Sequence, residues 1–244
     1  MLIAPHNSPV EALIATNLQK VRARVAAAAV AAHRTVESVT VVAVSKGHGT
    51  PAIRAAAAAG SRDFGESYAQ EALPKMQAVP DLPAVWHFIG RLQANKTRGI
   101  AEHFDWVHGV DRLKVAERLS AQRPHYAPPL QVCLQVNIAG EHLKAGIPPA
   151  EAAGLAQAVR SLPRLRLRGL MCILPADLTP ADNRLHFAAL RTLKEQINTA
   201  LAGDPLDSLS MGMSADFPEA IMEGATLVRV GTAIFGPRTL PASE

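Results

Sequence analysis

The apolar residues of this chain alternate between two kinds of segment along most of its length. Val39 to Val44 is a nearly continuous β-branched run, typical of a strand that is buried on both faces. Thr50 and Pro51 then open an Ala-rich stretch that stops at Gly60. Thr as N-cap, Pro at the first helical position and Gly past the end predict a helix here. The first unit is therefore a strand followed by a helix.

The same pattern of a strand and then a helix recurs along the rest of the chain. Further strands are predicted at 62–65, 85–90, 104–110, 130–138, 165–173, 208–213 and 227–231. Helices are predicted between them at 68–78, 94–102, 112–120, 149–160, 182–201 and 217–223, and a short segment follows the last strand. Such alternation predicts a parallel sheet with right-handed crossovers. Eight units in 244 residues favour an α/β fold of the (β/α)8 TIM barrel type, with an open doubly wound sheet as the alternative.

An additional helix is predicted before the first strand, at about residues 8–34. Its apolar positions follow helical spacing, at Leu13, Ile14, Leu18, Val21 and Val25. This helix would plug or flank the barrel, which is predicted at about residues 39–238. The sequence contains no linker, so residues 1–244 are expected to form a single domain.

Composition and charge restrict the class of protein. Hydrophobic residues make up 48% of the chain and charged residues 19%, an ordinary balance for a soluble globular protein. No apolar run reaches the length of a membrane span, and the N-terminus does not resemble a secretory signal. We therefore expect a cytoplasmic protein without a membrane partner.

Nucleic-acid and metal binding are not expected. The net charge is only +4, aromatic residues are 4% of the chain, and the basic run at 164–168 alternates with Leu, which predicts the solvated entrance of a strand. Cys133 and Cys172 fall within apolar strands and are expected to be buried, reduced thiols. The nine histidines show no spacing typical of a metal site.

The loops after the seventh and eighth strands carry small and hydroxyl residues. Gly212 and Ser214 follow the seventh strand, and Gly231 and Thr232 follow the eighth. In (β/α)8 barrels these two loops often bind phosphate, helped by a helix N-terminus. The pattern predicts either a phosphate site or ordinary turns, since Gly and Ser are common in loops.

Two basic residues belong to apolar strands. Lys46 ends the first strand, where partial desolvation would favour a nucleophilic amine; alternatively, its side chain extends to solvent. Arg229 lies within the eighth strand on the same face as Gly231. A charged residue in that position needs a partner, either an ion pair with Glu66 or the ring nitrogen of a cofactor.

Seven ordered segments together resemble the pyridoxal 5'-phosphate (PLP) homeostasis protein family, also called the YggS/PROSC-like family. The resemblance extends over roughly residues 39–238. The segments are VVAVSK at 41–46, FGE at 64–66, WHFIG at 86–90, LQANK at 92–96, RGLM at 168–171, SMGMS at 210–214 and VRVGTAIFG at 228–236.

The resemblance implies a fold-type III PLP protein, similar to the N-terminal domain of alanine racemase. It implies that PLP forms a Schiff base with Lys46 and that Arg229 faces the pyridine nitrogen. The other cofactor-binding residues that it implies are Ser67, Met211, Gly212, Ser214, Gly231 and Thr232, the last three forming the phosphate cradle. An arginine at the ring nitrogen keeps that nitrogen unprotonated, which makes the ring a poor electron sink.

The sequence departs from the family pattern at two positions. His48 stands where the family often has a second lysine thought to aid cofactor handling. Ser67 stands where the family has Asn, so this contact with the cofactor is expected to be shortened or lost. Lys144 resembles a further family lysine, proposed to receive PLP in transit.

The resemblance implies a non-catalytic PLP carrier or buffer that supplies apo PLP-dependent enzymes and affects vitamin B6 and amino-acid balance. The alternative is an amino-acid racemase, which needs a base on each face of the substrate α-carbon. In alanine racemase the second base comes from a C-terminal domain across a dimer. The chain ends at Glu244, which leaves no room for that domain, and His48 or Tyr68 would have to replace the base. A monomer is therefore expected.

A third hypothesis is a barrel enzyme that acts on phosphorylated sugars without PLP. It would use the same phosphate loops, and Lys46 would form a Schiff base with the substrate. The match over all seven segments argues against it.

Overall fold

Eight parallel strands close into a barrel in their chain order, which confirms the barrel over the open sheet. The computed structural model describes residues 9–141 and 145–237. The barrel closes through β1 and β8, where Val42 lies opposite Arg229. The strands are β1 Thr40–Val44, β2 Asp63–Glu66, β3 Val85–Phe88, β4 Trp106–Val110, β5 Leu130–Gln135, β6 Leu165–Met171, β7 Ser208–Ser210 and β8 Leu227–Val230.

Helices follow the strands as predicted, but several boundaries differ. The strands β3, β5, β6 and β7 end two or three residues earlier than predicted, because the residues after them turn into the loops at the barrel mouth. The helix after β3 begins at Thr97 rather than at Ala94, and a short helix after β8 was not predicted. The helices are α1 Pro9–Ala31, α2 Thr50–Ala58, α3 Ala69–Ala78, α4 Thr97–His103, α5 Leu113–Gln122, α6 Ala152–Arg160, α7 Pro180–Ala200, α8 Phe217–Met222 and α9 Thr232–Phe235, with short 3₁₀ turns at Val36–Ser38 and Pro149–Glu151.

The predicted frame of α2 was correct at its end and wrong at its start. Gly60 follows the helix with φ of +88°, a conformation that glycine adopts without strain. Thr50 is not the N-cap: Gly49 takes that place with extended backbone, and no side chain caps the helix. Thr50 and Pro51 instead occupy the first turn of the helix. Backbone N–H groups in the first turn have no intrahelical acceptor, so a proline there costs no hydrogen bond.

The N-terminal helix α1 flanks the barrel rather than plugging it. It packs against α2, α8 and α9, on the seam where the first and last units of the barrel meet. Asn17 Nδ2 donates to the carbonyl of Ile234 in α9 at 3.0 Å. The buried stripe runs along Ile14, Leu18, Val21 and Val25 as predicted, but Leu13 is 54% exposed, because it lies beside that stripe.

Other predictions concern single side chains. Cys133 and Cys172 are buried and form no disulfide, and burial raises the pKa of both thiols to about 12. In the basic run, Arg166 is exposed, but the prediction of a solvated side chain is wrong for Arg168. Its guanidinium pairs with Asp207 at 2.7 Å and lies 5.0 Å from the centre of a Trp ring in β4. No helix among the described residues is long and apolar enough to span a membrane.

Candidate functional site

Lys46 lies in the loop after β1, at the carboxyl end of the barrel. It lines a cavity of about 350 Å³ together with Ser67, which follows β2. A larger cavity of about 430 Å³ lies at the opposite end, beside residues 60–64. Function in (β/α)8 barrels resides at the carboxyl end, so the smaller cavity is the candidate site. Other residues that line it are Tyr68, Phe88, Arg91, Gln93, Lys96 and Ile173.

A buried ion cluster lies directly behind this cavity, between β2 and α3. Lys75 Nζ is 2.7 Å from Glu66 Oε1 and 2.6 Å from Glu71 Oε1. The side chains of Lys75 and Glu66 are 7% and 0% exposed, whereas that of Glu71 is 26% exposed. Burial raises the pKa of Glu66, and Lys75 opposes this effect. The second oxygen, Glu66 Oε2, is buried and accepts no hydrogen bond from the described residues.

The ion cluster holds the residues on either side of Lys46. Ser45 Oγ donates a hydrogen bond to Glu66 Oε1 at 2.7 Å, and the backbone carbonyl of Ser45 accepts one from Lys75 Nζ at 3.0 Å. The backbone N–H of Gly47 donates to Glu71 Oε1 at 2.6 Å. Because both neighbours are fixed to charged groups, the backbone that carries the Lys46 amine has a defined position.

Arg229 is buried in the barrel wall next to β1. Its Nη1 donates to Ser210 Oγ at 2.6 Å, and its Nη2 donates to the carbonyl of Cys172 at 2.8 Å. From the sequence, Glu66 was a possible ion-pair partner of Arg229, but Glu66 pairs with Lys75 instead. Burial lowers the pKa of Arg229 from its usual value. The contacts of Arg229 fix the plane of its guanidinium group near the barrel mouth.

A chain of hydrogen bonds continues from Ser210 across the barrel interior. Ser210 Oγ is 2.7 Å from His108 Nδ1, and His108 Nε2 is 2.9 Å from His87 Nδ1. His87 Nε2 is 3.0 Å from Asp63 Oδ1. Both histidines are fully buried. Burial, with the nearby His87 and Arg229, lowers the pKa of His108 well below its usual value, so this ring is neutral at pH 7.

The loop after β7 requires glycine at position 212. Gly212 has φ of +92°, and a Cβ atom there would lie 2.6 Å from the Ala220 Cβ and 2.9 Å from the Phe217 Cα. The absence of a side chain therefore lets the loop lie directly against α8. Met211, just before it, is fully buried.

The loops after β7 and β8 meet at the barrel mouth. Ser214 Oγ accepts a hydrogen bond from the backbone of Ala233 at 3.4 Å. Gly231 is the N-cap of α9, and Thr232 is its first residue. The predicted cradle residues Ser214, Gly231 and Thr232 thus belong to two joined loops, beside the short helix that such phosphate sites use.

The predicted site residues occupy two adjoining parts of the mouth. Lys46 and Ser67 line the cavity, while the others lie on or after β7 and β8. The arrangement fits PLP in its chemistry: an amine for its aldehyde, a buried cation near its ring, and glycine and hydroxyl groups for its phosphate. Lys144 lies outside the described residues.

The two residues considered as a second base have different surroundings. His48 is 5% exposed and stacks on Phe235 of α9, with ring centroids 5.2 Å apart. Tyr68 is 52% exposed and lines the cavity. His48 is therefore packed into the wall of the mouth.

Sequence reasoning missed the ion cluster and the interior histidines. His87 and His108 are polar residues within apolar strands, which is the signal that singled out Arg229. Lys75 carried no signal, because a lysine in a short amphipathic helix is usually exposed. Its burial becomes visible only when α3 is packed against β2.

The alanine racemase N-terminal domain family matches residues 14–239 of this chain. Pyridoxal phosphate homeostasis proteins of Pseudomonas aeruginosa and Escherichia coli are 56% and 48% identical to it. Each alignment covers 92% of this chain, and 96% and 97% of the two relatives, respectively.

Solved structures show the same similarity. PipY of Synechococcus elongatus, in a structure with PLP bound, is 41% identical with a TM-score of 0.81, over 91% of this chain and 100% of PipY. Alanine racemase from Corynebacterium glutamicum is 16% identical with a TM-score of 0.69, over 96% of this chain and 63% of the racemase, and shares the fold.

Proposed function

The chain belongs to the family of pyridoxal phosphate homeostasis proteins, and we propose that it binds PLP covalently through Lys46 as a non-catalytic carrier or buffer. One observation carries this proposal. Lys46 and Arg229 lie at the carboxyl ends of the neighbouring strands β1 and β8, next to two joined loops that glycine and hydroxyl residues form. This is the set of groups that PLP needs, at the end of the barrel where ligands bind.

Each group has a distinct role in this proposal. When bound, PLP supplies an aldehyde that condenses with an amine and a ring that can accept electrons. Lys46 provides the amine, and Ser67 borders the same cavity. Ser214, Gly231 and Thr232 would hold the phosphate, with Met211 and Gly212 in the loop beside them.

Arg229 argues for holding the cofactor rather than using it. A guanidinium donates a hydrogen bond to the ring nitrogen but does not transfer its proton there, so the ring withdraws few electrons. Racemisation also requires two bases, and His48, one of the two candidates for the second base, is packed against Phe235.

We further propose that the chain acts as a single-domain monomer in the cytoplasm and that apo PLP-dependent enzymes are its recipients.

The covalent link is tested by absorption and chemical trapping. The wild type, reconstituted with PLP and desalted, should show a near-visible band that disappears on borohydride reduction. A peptide map should place the reduced adduct on Lys46. Lys46→Ala should lose the band, while Lys96→Ala, which alters another lysine of the same cavity, should retain it.

Three results would contradict the proposal. A wild type without the band would exclude a covalent PLP carrier and favour the barrel enzyme on phosphorylated sugars. An adduct on Lys96 or Lys75 would overturn the assignment to Lys46. Racemisation of L-alanine, measured by chiral chromatography and abolished in Lys46→Ala, would favour the racemase.

A further inference from the structure

The hydrogen-bond chain from Arg229 to Asp63 crosses the barrel interior. Asp63 is the first residue of β2, at the amino end of the barrel, and its side chain is 26% exposed. The bond between His108 in β4 and Ser210 in β7 joins strands that are not neighbours. The chain of bonds therefore runs through the core from a carboxylate near solvent to the arginine at the mouth.

When both imidazoles are neutral, the chemistry of the two ends fixes the direction of every bond. Arginine only donates hydrogen bonds, and an ionised carboxylate only accepts them. With neutral rings, His87 must carry its proton on Nε2 to donate to Asp63, so its Nδ1 accepts from His108. Ser210, which accepts from Arg229, therefore donates its hydroxyl proton to His108 Nδ1. His108 must then carry its own proton on Nε2.

The same reasoning continues through the second histidine. His108 Nε2–H donates to His87 Nδ1, and His87 Nε2–H donates to Asp63. All four bonds are satisfied with both imidazoles neutral and in the Nε2–H tautomer. The neutral state of His108 agrees with its lowered pKa.

This network replaces apolar packing in the barrel core. Branched apolar side chains normally fill such an interior, yet His87, His108 and Ser210 are here 0% exposed and Arg229 4%. Buried polar groups are costly unless all are satisfied, whereas a complete network is rigid and holds its members in one geometry. The member whose position matters to a ligand is Arg229.

We infer that Asp63 is a positioning residue for the cofactor: through His87, His108 and Ser210 it orients the Arg229 guanidinium. This inference rests on the proposed function, because it takes Arg229 to face the ring nitrogen. Asp63 lies at the far end of β2 from the mouth and acts only through the network.

The network itself is tested by NMR of the histidine side chains in protein without added PLP. Nitrogen-15 spectra at pH 7 should show His87 and His108 as neutral Nε2–H tautomers, assigned with the His87→Gln and His108→Gln variants. Asp63→Asn keeps an acceptor oxygen but removes the charge, and it should shift the signals of both rings. Asp207→Asn, which alters another acid at the same end of the barrel, should leave them unchanged, because Asp207 pairs with Arg168.

The link to the cofactor is tested by spectroscopy and affinity. Asp63→Ala should move the absorption band of bound PLP and weaken PLP binding by about three- to tenfold, the loss of one partly effective charged hydrogen bond. Asp63→Glu, which restores the carboxylate, should recover both properties at least in part, and Asp207→Asn should match the wild type.

The outcomes separate this inference from the proposed function. If the wild type binds PLP through Lys46 but Asp63→Ala matches it in both band and affinity, this inference alone is wrong. Protonated rings or Nδ1–H tautomers in the wild type would also overturn it. If the wild type retains no PLP, the proposed function fails, and the cofactor role of Asp63 fails with it.

Discussion

Replacing Lys75 by Met should destabilise the protein in a way that depends strongly on pH. The substitution keeps most of the buried stem of the side chain and removes its charge. Glu66 Oε1 then retains only Ser45 as a hydrogen-bond donor among the described residues, while Glu71 is 26% exposed and can be solvated. The penalty therefore falls on Glu66, which is fully buried.

The size of the penalty follows from the two states open to the Glu66 carboxyl group. Remaining ionised without its cation costs about 3–5 kcal/mol. The alternative is that Glu66 takes up a proton. Because pH 7 lies about 2.7 units above the ordinary pKa of glutamate, this protonation costs about 3.7 kcal/mol. Because burial already raises the pKa of Glu66, protonation is the cheaper route. At pH 5 the same step costs only about 1 kcal/mol.

Urea unfolding measures this directly. Relative to wild type, Lys75→Met should lose about 3–4 kcal/mol of unfolding free energy at pH 7 and about 1 kcal/mol at pH 5. The double variant with Glu66→Gln should recover much of the loss at pH 7 and show little dependence on pH. Lys114→Met, at an exposed position on α5, should stay within about 0.5 kcal/mol of wild type. An equal loss for Lys75→Met at both pH values would refute the reasoning.

Two further predictions concern His108 and Gly212. The pKa of His108 in the folded protein is lowered by burial, by His87 and by Arg229. The neutral ring therefore stabilises the fold above the unfolded pKa of about 6.5, and this stabilisation is lost as the pH falls below that value. The loss between pH 7.5 and pH 5.5 is about 1.4 kcal/mol. Urea unfolding at those two pH values should show this loss in wild type but not in His108→Gln, and identical pH dependence would contradict the assignment. Gly212→Ala should cost about 2–4 kcal/mol, because the new Cβ would meet α8 and the backbone has positive φ. Urea unfolding measures this loss, and Gly154→Ala, where the new Cβ has no neighbour within 4 Å, should be neutral or slightly stabilising in the same assay.

The sequence pattern was sufficient for the barrel because buried parallel strands are nearly continuous apolar runs. Val39 to Val44 and Leu130 to Gln135 illustrate this. Boundaries at the mouth were less predictable: residues 94–96 favour a helix locally, yet α4 begins only at Thr97, after a turn. The four-residue helix α9 is too short to give a periodic signal.

The interior of the site was beyond local reasoning for a different reason. A histidine in a strand has no visible partner until the barrel closes, and Ser210 lies 102 residues from His108 along the chain. The family resemblance supplied the residues that are predicted to contact the cofactor, and the residues that support them emerged only from packing. Arg229 was recognisable as needing a partner, but the choice between Glu66 and another group depended on which element lay opposite.

The short strand β2 explains why the structural support of Lys46 and that of Arg229 are coupled in the candidate site. Asp63 and Glu66 are three positions apart, so they lie on opposite faces of the strand. Asp63 faces the interior and begins the network to Arg229, whereas Glu66 faces α3 and, with Lys75, holds the loop of Lys46. A one-residue shift in the register of β2 would exchange the two faces and break both supports at once. The pairing of β2 with β3, from Asp63 opposite Val85 to Glu66 opposite Phe88, therefore sets the position of the amine and of the arginine together.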